Sequence, residues 1–133
     1  ITVEGTSLVN SDVSGQVITL DSTNAMTGAV SITHTGSANV AIDNGTTALN
    51  LGTVGVGQNY SARLGGGITD SGVITVAGTS LFNSDVSGQV ITLDSTNAMT
   101  GAVCTTDAGS AYVPIDNGTT AVNLGTIGVG QNC

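Results

Sequence analysis

The chain has 133 residues with 20 glycines, no tryptophan, one basic residue and nine acidic ones, for a formal charge of −8. One basic group cannot make a patch that displaces counterions from nucleic-acid phosphates or docks on anionic lipid. No apolar run approaches the roughly 20 residues of a membrane-spanning helix, and 39% hydrophobic content with only 8% charge is far from disordered composition.

In chain order, short segments of Val, Ile, Leu and Thr alternate with clusters of Gly, Asn, Asp and Ser, the composition of strands and turns. In "ITVE", Ile1 and Val3 take one face while Thr2 and Glu4 take the other. The pattern returns as "ITLDST" from Ile18, "VAIDNG" from Val40, "YSARLG" from Tyr60, "ITVAGT" from Ile74, "ITLDST" from Ile91 and "VPIDNG" from Val113. Between these starts, "TSLV", "AMTGAV" and "TALNL" supply further apolar walls. Corners fall to "NSDVSG", "DSTN", "DNG" and "LGGG", whose residues tolerate left-handed backbone and close local hydrogen bonds. Pro114, which replaces Ala41, is expected where its nitrogen faces away from a ladder partner, or at the start of a strand. No helical period appears.

Ile1–Tyr60 recurs as Ile74–Cys133 at an offset of 73, with 49 of 60 positions identical. The inner starts run Ile1, Ile18, Val40, Tyr60 and back to the equivalent Ile74, so that four steps cover one offset. This predicts an all-β parallel β-helix (β-solenoid) with about 18 residues per coil and four coils per repeat. Block 1 spans residues 1–73, incomplete block 2 spans 74–133, and together they form one continuous solenoid. With no polar cap at either end, the chain reads as a window on a longer protein or as a unit that stacks end to end. The alternative is two β-sandwich modules, which normally want a large aromatic core residue that this repeat lacks.

Catalytic chemistry finds few residues. His34 is the only histidine, is replaced by Asp107 in the other copy, and reads as an exposed polar loop position. Cys104 and Cys133 answer to Ser31 and Tyr60, so they are not a disulfide framework. The glycine clusters lack the lysine and spacing of a phosphate loop. The coil alignment puts Glu4, Asp21, Asp43, Arg63, Ala77, Asp94 and Asp116 in one outward column, with Arg63 relieving Asp43. Solvated carboxylates beside turns are the favoured reading; structural calcium on Asp21, Asp43, Asp94 and Asp116 is the alternative. Asn44, Asn59 and Asn117 match the glycosylation pattern, which Ser- and Thr-rich sequence produces by chance. Six of the 11 changed positions (Ser31, Ile32, His34, Thr35, Asn39 and Ala41) cluster as a face free to vary.

The segments "GGGITDSGVITVAGTSLFN", "QVITLDSTNAMTGAV" and "NVAIDNGTTALNLGTVGVGQN" resemble the repeats of large bacterial exported proteins of the filamentous haemagglutinin type. The resemblance implies a right-handed β-helix, an extracellular or cell-surface location, and a role in adhesion, biofilm or fibres. The expected function is therefore a structural and interaction protein: a stalk, adhesin or fibre segment, not an enzyme. Expected partners are its own continuation or further copies, and a surface receptor or glycan, with no cofactor, nucleic acid or membrane insertion. Alternatives are a carbohydrate-binding or carbohydrate-active β-helix, disfavoured by 2% aromatic content, and an ice-binding solenoid, disfavoured by the lack of a regular Thr-x-Thr row.

Overall fold

The computed structural model describes residues 1–108 and 113–129; Cys133 lies outside them. In chain order the strands are β1 (Thr2–Val3), β2 (Ser7–Asn10), β3 (Ile18–Leu20), β4 (Ala25–Met26), β5 (Ala29–His34), β6 (Val40–Asp43), β7 (Leu49–Val56) and β8 (Tyr60–Leu64). There follow β9 (Ile68–Asp70), β10 (Ile74–Val76), β11 (Ser80–Ser84), β12 (Ile91–Thr92), β13 (Ala98–Met99), β14 (Ala102–Asp107) and β15 (Asn123–Val129). All of these pairings are parallel, and the chain is a β-solenoid of about six turns without helix among the described residues. Parallel pairing excludes the β-sandwich alternative, whose sheets are antiparallel.

Three ladders run along the axis: a two-stranded β1–β4 pair, a seven-stranded sheet and a six-stranded sheet ordered β15-β14-β11-β8-β6-β3. Register partners such as Ile18↔Val40, His34↔Val56 and Ser7↔Val30 put one coil at roughly 22 residues, with shorter steps such as Leu49↔Ile68. The expected coil of about 18 residues, four to a repeat, is therefore too short. Its shorter steps, such as Tyr60 to Ile74, are passages from one wall to the next. Ile18, Val40 and Tyr60 do stack in register. Tyr60 then meets Ser80, whereas Ile74 sits on Val54 and Ile91 on Ile68.

With about 22 residues per coil, an offset of 73 is about three and a third turns. Equivalent segments consequently occupy different walls. Ser7 pairs in the seven-stranded sheet and its copy Ser80 in the six-stranded one. Ile18 and Ile91 make the reverse exchange. Across the block boundary β10 pairs with β7 and β11 with β8, without interruption. A bulge travels with the sequence: register shifts between Val30 and Ile32, and again between Val103 and Thr105. Opposite these shifts, Gly52 lies against the Ser31 hydroxyl and Gly125 against the Cys104 sulfur, so close that a Cβ would collide.

Alternation builds the core. In β8, Tyr60, Ala62 and Leu64 point inward; in β11, Ser80, Phe82 and Ser84 do. Large faces small across this seam, since Tyr60 pairs with Ser80 and Phe82 with Ala62. The two rings meet at 5.7 Å. At the ends the inward columns lie open. Leu124 and Ile127, in register with buried Val103 and Thr105, are 59% and 40% exposed.

Pro114 stands at the start of its short ladder, just before the parallel bridge of Ile115 with Leu93. Its carbonyl accepts from the Leu93 amide at 2.9 Å, and Asp116 N donates to Leu93 O at 2.7 Å. In an extended strand the N–H and C=O of one residue point to the same side. The proline nitrogen therefore faces the preceding coil, where a donor would be used.

Candidate functional site

The most organised polar groups are asparagines at the corners. Within "IDNGTT", the side chain of Asn44 turns inward and is fully buried. Its Oδ1 accepts from Met26 N at 2.9 Å, and its Nδ2 faces the carbonyls of Met26, Thr47 and Ala48 at 3.1, 3.2 and 3.2 Å. One side chain thus replaces a strand at the corner, satisfying backbone groups of its own coil and the one before. Gly45 follows at φ 60°, a left-handed turn that suits glycine, with its amide on Asp43 Oδ1 at 2.7 Å. Asn117 repeats the arrangement with Met99, Thr120 and Ala121. Asn97 accepts from Ile74 N at 2.8 Å and donates to Asp70 Oδ2 at 2.8 Å. Asn24 donates to the carbonyls of Leu20 and Asp43. Burial also leaves Asn44 and Asn117 no room for a glycan; Asn59 is exposed, with its Oδ1 accepting from Thr79 N.

The charged column is not continuous. Asp43 is in register with Arg63, but Arg63 pairs with Asp85 on the next turn at 2.9 Å, and its own register partner there is Asn83. Ala77 and Asp94 lie beyond strands of the seven-stranded sheet. Of the calcium candidates, Asp21, Asp94 and Asp116 are exposed and Asp43 is half-buried. Asp43 and Asp116 each hold their own turn through the amides of Gly45 and Gly118. Among the described residues no three His, Cys, Asp or Glu side chains gather as a metal site.

His34 is fully buried, a correction to its expected exposure. The alternation of Val30 and Ile32 continues one two-residue step beyond the last apolar letter and carries the imidazole inward. Nδ1 lies 3.2 Å from Ser11 O, and Nε2 has no partner among the described residues. Asp107 is buried at the same place in its strand. The changed positions are therefore not one face: Ile32 and His34 are core, while Thr35 and Asn39 are exposed. Cys104 is a free, half-buried thiol.

On the outside of the seven-stranded sheet, Thr35, Gly55, Gly57, Thr75, Ala98 and Thr100 line a shallow groove of about 230 Å³. Thr33, Gly55, Thr75 and Ala98 are successive register partners along it. Its lining includes no carboxylate, imidazole or thiol. It is a smooth strip of small residues.

Stacked parallel coils built from a duplicated block define a β-solenoid repeat protein. The chain belongs to the family described as repeats of unknown function (DUF5649), whose model matches residues 37–106, more than half of the chain. That span starts in block 1 and ends in block 2, so it crosses the seam at β8 and β11. No curated protein and no solved structure matches the chain.

Proposed function

We propose that this chain is a non-enzymatic structural segment of an exported cell-surface stalk, adhesin or extracellular fibre. The carrying observation is the six-stranded ladder from β3 to β15, which passes the block boundary without a break. A scaffold of this kind lengthens by adding coils, each of which needs only a compatible neighbour. The open core columns at Leu124 and Ile127 suit a further coil, supplied by the same polypeptide or by a second copy. The resemblance to haemagglutinin-type repeats supports an extracellular setting, with a receptor or glycan met by the outer walls.

Electron microscopy and fibre diffraction of the native material test this reading. Elongated particles with an axial spacing of about 4.8 Å are expected. Compact monodisperse monomers of the native protein at high concentration, or cleavage of a polysaccharide by the purified chain, would overturn it.

A further inference from the structure

Only two asparagines in the chain precede glycine, Asn44 and Asn117. Glycine has no Cβ to shield its amide nitrogen, so in an unfolded Asn–Gly pair that nitrogen readily reaches the side-chain Cγ. We infer that Asn44–Gly45 and Asn117–Gly118 are latent deamidation sites, closed by the fold and exposed only when their own coil unwinds. Reaction at either site then prevents that coil from closing again.

The chemistry needs water alone. Gly45 N gives its proton to water or hydroxide and attacks Asn44 Cγ. A C–N bond forms, the Cγ–Nδ2 bond breaks, and the nitrogen departs as ammonia, leaving a succinimide. Water opens this ring to aspartate or isoaspartate.

In the folded chain every participant is held. The Gly45 N–H is committed to Asp43 Oδ1 at 2.7 Å, which occupies the nucleophile. The Asn44 amide is fixed by four backbone hydrogen bonds and is fully buried, away from water. Gly118 N is likewise held by Asp116 Oδ1 at 2.7 Å, with Asn117 fixed by Met99. The product does not fit the corner it came from. An aspartate at 44 presents an acceptor to the carbonyls of Met26, Thr47 and Ala48, and a buried acceptor facing acceptors is strongly unfavourable. Isoaspartate also lengthens the backbone and shifts the ladder.

The test incubates the full chain in mildly alkaline native buffer and follows each site by peptide mapping and mass spectrometry. A free Asp-Asn-Gly-Thr-Thr peptide serves as the unfolded reference. Asn44 should convert more slowly than the peptide by about tenfold or more. The chains N44D and N117D should melt lower than wild type or fail to fold. Less than about tenfold protection of Asn44, or either aspartate chain melting with wild type, would overturn the inference.

Discussion

Phe82 gives the sharpest test of how the seam is held. Phe82→Ala removes a fully buried ring that packs at 5.7 Å from Tyr60. Large-to-small changes of this kind cost about 3–5 kcal/mol, the larger values arising where the surroundings cannot close over the cavity. Here closure is resisted on both sides. The strand carrying Phe82 is locked by five consecutive register pairs to β8 and five to β14. The expected loss is therefore near the top of the range, about 4–5 kcal/mol. Phe82→Val restores the residue of the other copy, Val9, and keeps part of the contact, so about 2 kcal/mol is expected. Val9→Ala, at the half-buried equivalent position, should cost about 1 kcal/mol. Urea unfolding followed by far-ultraviolet circular dichroism reads these values as midpoint shifts at constant slope. A loss below about 1 kcal/mol for Phe82→Ala, or an equal loss at Val9, would refute the packing argument.

Tyr60→Phe should raise stability by about 1 kcal/mol, because the phenol oxygen is buried without a partner among the described residues. Burial also pushes the Tyr60 hydroxyl above its ordinary value. The folded state thus favours the protonated phenol: its contribution is complete below about pH 10 and is lost as pH rises further. An alkaline titration should show that loss in wild type and less of it in Tyr60→Phe; identical curves would contradict the assignment. Pro114→Ala should gain about 0.5–1 kcal/mol by restoring a ladder donor, and a thermal midpoint at or below wild type would show the nitrogen faces elsewhere. Asp85→Asn should change stability by less than about 0.5 kcal/mol, since the Arg63 and Asp85 side chains are 68% and 42% exposed; a larger loss in urea unfolding would require a role beyond the surface pair. Chelation should leave the melting temperature unchanged, because Asp43 and Asp116 already serve their own turns; a fall on adding chelator would revive the calcium reading.

The solenoid was legible because alternation at Val40, Ile42, Tyr60 and Ala62 is a local property that survives whatever stacks on it. Coil length was not. "ITVAGT" at Ile74 looks like "ITLDST" at Ile18, and only the ladder reveals that one sits on Val54 and the other beneath Val40. The corner asparagines escaped for a related reason. Asn in "DNG" signals a turn, and the turn is there, but the same letter does not say whether the amide points to water or closes a coil. Burial of His34 was readable in principle from the period of "AVSITH", once that period was trusted over the polarity of its last member.

The fractional turn in the repeat bears on how such a protein changes length in evolution. Unequal recombination between copies this similar gains or loses whole blocks. Each event moves everything downstream by about 16 Å along the axis, a little over three strand spacings. It also swings the downstream part through roughly a third of a revolution, because the block closes after about three and a third coils. One gained block would therefore aim whatever lies downstream in a new direction, and only three in succession would restore its original heading. Selection on copy number in this lineage would act on azimuth as well as on reach.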